Sequence, residues 1–205
     1  MYMSPISQSL LAAAAGITSC TIFLAMNTTL NYIAIPGYLL SPVPRSKSEQ
    51  GTDTHRNAPE ASTDLILRQW EHTYARGHMV GPVSANLSTL AFLYAAWTLP
   101  YDDLDLRRCY YLAAISAIVV VPFTVLFIFP TNEELYRRID LLRKADAKTG
   151  QAEGKGQSKS EIQSMDTLTL IRKWHFLSKV RALMPLPAIL VGIYALVRTG
   201  EMSGS

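Results

Sequence analysis

Trp70, Tyr74 and His78 follow one another at intervals of four, with Leu67 three residues ahead, so all four fall on one face of a helix. Farther along, Trp174 and Arg181 share a helical face, while His175 is turned about 100° from Trp174 around the same axis. Asn27 and Asn31 are four apart and also share a face. Asn86, Thr131 and Asn132 complete the polar groups set in or beside apolar sequence. If the fold gathers them, aromatic rings, imidazoles, amides and a guanidinium would suit a flat, apolar ligand that carries hydroxyl groups.

Other chemistries lack their residues. There is no Gly-rich phosphate loop and no dinucleotide fingerprint, and no nucleic-acid partner is expected. The four histidines, His55, His72, His78 and His175, have no metalloprotease-like spacing, and His72 and His78 point to different faces of a helix. With no His, Cys and carboxylate cluster in the apolar stretches, neither a zinc, haem or iron site nor any other metal is expected. Those stretches also hold no Asp, Glu, Lys or Arg that would mark a proton or ion path.

The elements that must position these groups are written in the charge distribution. No Asp, Glu, Lys or Arg occurs from Met1 to Pro44, from Met79 to Tyr101, from Cys109 to Asn132, or from Ala182 to Val197. A hydrocarbon core of ~30 Å takes roughly 20 helical residues. Four spans follow, at about 6–32, 79–101, 109–130 and 180–198. The last is short unless Lys179 and Arg181 sit at its inner end and extend their heads to the interface. The first stretch lacks a basic leader and exceeds a signal-peptide core, so it is expected to stay as a helix. The fold class is all-α: a four-transmembrane-helix bundle, one membrane domain over residues 1–205, with amphipathic helical extensions on the cytosolic side.

That side follows from the basic residues. Five Lys and Arg lie between Arg45 and Arg76 and eleven between Arg137 and Arg181, against Arg107, Arg108 and Arg198 on the other face. The asymmetry puts both long loops in the cytosol of a multi-pass protein, with the endoplasmic reticulum the expected membrane. Residues of about 45–62 and 149–160 are rich in polar residues, Gly, Pro and Ser, and are expected to be flexible loops. His55 belongs to the first of them. A helix is expected to start at Ser62, Thr63 or Asp64, and another near Met165. Pro122 should kink the third span, and Thr131 or Asn132 should cap a new helix after Pro130. Cys20 and Cys109 are expected to be small buried hydrophobes.

Threaded through this topology, Trp70, Tyr74, His78, Thr131, Asn132, Trp174, His175 and Arg181 all arrive at the cytosolic ends of the helices, with Asn27, Asn31 and Asn86 somewhat deeper. Interfacial aromatic belts, snorkelling arginines and helix-bridging asparagines offer a competing account of each residue singly. Their convergence on one mouth favours a ligand site.

The order of motifs resembles the anthrone oxygenase family of fungal aromatic-polyketide pathways. The matching pieces are Gly16 and Ser19, Trp70-X3-Tyr74-X2-Gly77 with Pro82, and Tyr111-X-Ala113-Ala114. They continue with Pro122-Phe-Thr124, Pro130-Thr-Asn132-X2-Leu135 and Trp174-X6-Arg181. The resemblance implies oxidation of an anthrone to an anthraquinone by molecular oxygen without flavin or metal. His78 or His175 would then be the base, with His78 favoured because it lies on the Trp70/Tyr74 face and its ring should turn into the pocket. Arg181, Asn132 and Tyr74 would stabilise the anion, and Trp70, Trp174, Asn86, Thr124 and Asn31 would line the substrate. A lysine or another polar residue is expected in many relatives where this chain has His78. Implied partners are an aromatic polyketide, oxygen, the bilayer and other polyketide-pathway enzymes. A membrane scaffold or a carrier of small apolar metabolites are the alternatives from other classes.

Overall fold

The structure is a computed structural model and describes residues 3–34, 58–100, 103–149 and 157–203. Helix α1 (Pro5–Thr29) begins with Pro5 in its first turn, where proline costs no hydrogen bond, and the Ser4 hydroxyl accepts the Ser7 N–H at 3.1 Å. It continues into a π turn at Leu30–Ala34. Helices α2 (Ala58–Gly77) and α3 (Val80–Thr98) are joined by a short turn at His78 and Met79. Helices α4 (Leu104–Ile118), α5 (Val120–Phe123) and α6 (Phe129–Thr149), with a π turn at Thr124–Ile128, form one long run. Helices α7 (Gln157–Leu183) and α8 (Leu186–Ser203) follow, with Pro185 and Pro187 at the junction between them.

Four helical runs, Pro5–Ile33, Thr63–Thr98, Leu104–Lys144 and Asp166–Met202, are long and apolar enough to cross a membrane. Their outer faces expose Leu11, Ile22, Leu90, Leu126, Leu190 and Val197, an apolar exterior that suits lipid. The chain is thus a multi-pass α-helical membrane protein.

Two cores divide it along its length. The membrane core joins α1, α3, α4 and α8 through small residues, among them Ala13, Ala95, Ala113, Ala117, Ala188 and Ala195. Small side chains let helix backbones approach closely where lipid offers no hydrophobic drive. Phe92 fills the notch they leave, with its ring against Gly16 on one side and Gly192 on the other. Hydroxyls bind across the same interfaces, Ser9 to the Ala95 carbonyl and Ser19 to the Ser84 carbonyl, each at 3.0 Å. The second core joins the extensions α2, α6 and α7 through Ile66, Leu67, Trp70, Leu135, Ile139, Ile171 and Trp174. The amphipathic extensions are therefore present as expected, packed on one another.

Several boundaries differ from the sequence expectation. Helix α2 starts at Ala58 and α7 at Gln157, ahead of Ser62 and Met165. The added turns hold few apolar residues, so periodicity could not mark them, although Ala, Glu, Gln and Lys favour helix. Most of the expected loops at 45–62 and 149–160, His55 included, lie outside the described residues. Pro122 interrupts the third span as expected, with α4 ending at Ile118, whose carbonyl it cannot serve. The ladder then widens through the π turn, where the Phe129 N–H reaches the Thr124 carbonyl. No new helix starts after Pro130. Helix α6 runs through it, the widened turn taking up the ring. Thr131 and Asn132 accordingly cap nothing; the Thr131 hydroxyl donates to the Phe127 carbonyl at 3.3 Å, and Asn132 is used elsewhere.

Candidate functional site

The junction of the two cores holds most of the residues singled out in the sequence. Helix α2 supplies Trp70 and Tyr74, stacked at 5.2 Å between ring centroids and 11° between planes. Trp174 of α7 meets Trp70 edge-on at 5.8 Å. Tyr136 of α6 stands edge-on to both Trp70 and Tyr74, at 5.3 and 5.9 Å. Sequence reasoning missed Tyr136, although it lies four residues after Asn132 and so on the same helical face.

Asn132 ties three helices. Its amide N–H donates to the Tyr74 hydroxyl at 2.8 Å, and its carbonyl oxygen accepts the Trp174 indole N–H at 2.7 Å. Tyr74 thereby accepts a bond while its own O–H has no acceptor among the described residues. Arg181 donates from Nη2 to the Asn27 side-chain oxygen at 2.8 Å and interacts electrostatically with Tyr74. No carboxylate pairs with Arg181 among the described residues, and its Nε is buried without a partner. Arg138, a buried guanidinium, is handled differently. It is paired to Glu134 at 3.0 Å, to Asp166, and to the Thr167 hydroxyl at 2.6 Å.

The junction also keeps other polar atoms unspent. Trp70 Nε1, Asn31 Oδ1, Ser178 Oγ and Gln69 Oε1 are buried with no hydrogen-bond partner among the described residues. Buried polar groups are ordinarily bonded, so each orphan asks for an explanation. Trp70 Nε1, Tyr74 O–H and Arg181 Nε are N–H or O–H donors on neighbouring side chains, Tyr74 stacking on Trp70 and lying within electrostatic reach of Arg181. Such an array is suited to an oxygen that carries or develops negative charge.

The histidines fall on either side. His78 stacks on Tyr74 at 5.6 Å and shares its helical face as expected, but its ring is exposed instead of turning inward. Helix α2 ends at Gly77, so His78 hangs from the turn, where its Nδ1–H bonds the Ala75 carbonyl at 3.0 Å. His175, turned about 100° from Trp174 on its helix, is half-buried and bonds the Asn31 backbone carbonyl through Nε2 at 2.9 Å. The π turn of α1 carries Asn31 to that meeting point. Asn86 and Thr124 are not brought into the cluster by any hydrogen bond. Asn86 is exposed and bonds the Pro82 carbonyl, and the Thr124 hydroxyl bonds the Val120 carbonyl. Among the described residues no three His, Cys, Asp or Glu side chains gather at one point.

Residues 70–191 match the family model for anthrone oxygenases, more than half of the chain. The chain belongs to the anthrone oxygenase family. Among curated proteins, the anthrone oxygenase encC of Aspergillus fumigatus is 33% identical over 147 residues, covering 71% of this chain and 78% of that protein. The noranthrone monooxygenase of Aspergillus flavus is 27% identical over 128 residues, covering 62% of this chain and 54%, about half, of its own length. The anthrone oxygenase AgnL2 of Paecilomyces divaricatus is 31% identical over 127 residues, covering 62% and 70%. No solved structure matches the chain. The stretch that matches the anthrone oxygenase family contains Trp70, Tyr74, Asn132, Tyr136, Trp174, Ser178 and Arg181, and leaves Asn27 and Asn31 outside.

Proposed function

We propose that this member of the anthrone oxygenase family converts a polyketide anthrone to an anthraquinone with molecular oxygen and no cofactor. The observation that carries the reading is the set of unspent donors in and beside an aromatic cluster, with Arg181 lacking any carboxylate among the described residues. An anthrone holds an acidic CH₂ between two aryl rings. Removing one proton puts negative charge on the carbonyl oxygen across the ring, where Arg181, Tyr74 and Trp70 can receive it. The electron-rich anion passes one electron to oxygen. The carbon radical and superoxide then combine into a peroxide, which takes up the proton that the base removed. Loss of the second CH₂ hydrogen as a proton, with cleavage of the O–O bond, yields the quinone carbonyl and water. The protein's part is a base, an anion site and shelter from water.

His175 is the base in this scheme. Its Nε2–H is committed to the Asn31 carbonyl, which leaves Nδ1 with a lone pair in the neutral ring. His78 is the second reading, favoured by its stack on Tyr74, since its Nδ1–H bond leaves Nε2 free. The long loops face the cytosol, the membrane is that of the endoplasmic reticulum, and the whole chain acts as one membrane domain alongside other polyketide-pathway enzymes.

Membranes bearing the protein, given an anthrone, are expected to consume oxygen and form quinone faster than the spontaneous background, with activity retained in chelator. Arg181→Ala at matched protein level should lower kcat about 10²–10³-fold, as when one anion-stabilising donor is lost. Stoichiometric bound flavin or iron, or equal loss of abundance and activity in that variant, would overturn the reading. His175→Gln and His78→Gln, assayed between about pH 6 and 8, assign the base.

A further inference from the structure

Ser178 stands out among the hydroxyls of the described residues. Thr18, Thr21, Ser88, Thr89, Thr124 and Thr199 each return their hydroxyl to the carbonyl four residues back, the usual way a helix satisfies them. Ser178 is fully buried in α7 and does not; its Oγ bonds nothing among the described residues. Its position is fixed by two contacts that zip α7 against the end of α1. His175 meets the Asn31 carbonyl, and Arg181 meets the Asn27 side chain. Ser178 lies midway between His175 and Arg181, one helical turn from each, and falls on the face of Trp174 and Arg181.

The His175 contact brings Asn31, also fully buried, against the same helix. Its amide N–H donates to the Asn27 carbonyl at 2.8 Å, and its Oδ1 is left without a donor. The two orphans differ in kind from Trp70 Nε1 and Arg181 Nε. An amide oxygen only accepts, and a serine hydroxyl can both donate and accept. A carboxylate, phosphate or phenolate would be repelled by Asn31 Oδ1. A neutral hydroxyl satisfies both groups, donating to Asn31 and accepting from Ser178.

We propose that Ser178 and Asn31 form a specificity element that binds a neutral hydroxyl of the substrate, beside the donor array that receives its anionic oxygen. The proposal rests on the anthrone oxygenase reading above and adds a residue that selects among anthrones. A site built to bond a substrate hydroxyl discriminates against the analogue lacking it, because its own groups are then left unpaired.

The test compares a dihydroxyanthrone, with hydroxyls flanking the carbonyl, with unsubstituted anthrone in wild type and Ser178→Ala. Wild type should favour the hydroxylated compound in kcat/KM, and the substitution should cut that preference about tenfold, the worth of one hydrogen bond. Binding of the matching hydroxylated and plain quinones, followed by tryptophan quenching, should change in the same ratio. Because the hydroxyl bonds nothing in the free protein, Ser178→Ala should melt at or above the wild-type temperature. An unchanged preference, or a lowered melting temperature that reveals an internal partner, would overturn the proposal. If wild type oxidises neither anthrone, the functional reading fails, and the quinone-binding ratio still decides the role of Ser178.

Discussion

Asn132 spends both ends of its amide on other helices, so its two bonds can be separated by substitution. Asn132→Ala should strip the partner from the buried Trp174 N–H and cost about 1–3 kcal/mol of stability, read by thermal unfolding in detergent. Asn132→Asp keeps an acceptor for Trp174 but lets the Tyr74 O–H turn into the new carboxylate. That variant should therefore be more stable than Asn132→Ala yet no more active. Equal stability in the two would mean that the indole bond contributes little. The aromatic and cationic members of the cluster were legible in sequence because helical spacing and a count of spans suffice to bring Trp70, Tyr74, Trp174 and Arg181 to one end. The orphaned Ser178 was not, since a serine that bonds its own helix and one that does not look identical in sequence. Nor was the outward ring of His78, which depends on where α2 stops.

Among the elements, the membrane core depends on how near α1 and α8 come to α3. A Cβ at Gly192 would stand 2.9 Å from Phe92 Cε1 and 3.1 Å from an Ile17 side-chain carbon. Phe92 is fully buried and has no room to yield. Gly192→Ala should lower stability by about 1–3 kcal/mol, the usual cost of overpacking, and Phe92→Leu should restore part of it. A melting temperature unmoved by Gly192→Ala would place the ring elsewhere. The small residues of the first span permit close packing, but which ring they close upon depends on the register between helices. The π turn at Thr124–Ile128 was likewise hard to read, because a stretch that is apolar on every side has no period for the extra residue to shift. Pro122 and Pro130 gave the only hint that the third run is irregular.

The whole molecule is taller than the bilayer it crosses. The run Leu104–Lys144, with 41 residues, extends ~60 Å at ~1.5 Å per residue, about twice a hydrocarbon core of ~30 Å. Arg68, Arg137, Arg138, Arg143, Arg172 and Lys173, which belong to the asymmetry that set the expected orientation, lie on α2, α6 and α7. Protease added outside sealed microsomes should cut the chain between Thr149 and Lys159, and a spared segment would reverse the orientation. The aromatic cluster belongs to the core of the projecting helices, and on the helix that carries Trp174 the Lys179 ammonium lies over the exposed Tyr32 ring at 5.5 Å, a pairing typical of an interface. On the proposed function, a site at that level would meet a greasy substrate already dissolved in lipid. The concentration it senses is then a surface density, moles of anthrone per mole of lipid. Adding empty, fusion-competent lipid at constant total anthrone and protein should slow quinone formation, although nothing in the aqueous assay volume has changed. A rate that follows only the bulk concentration would mean that the substrate arrives from water.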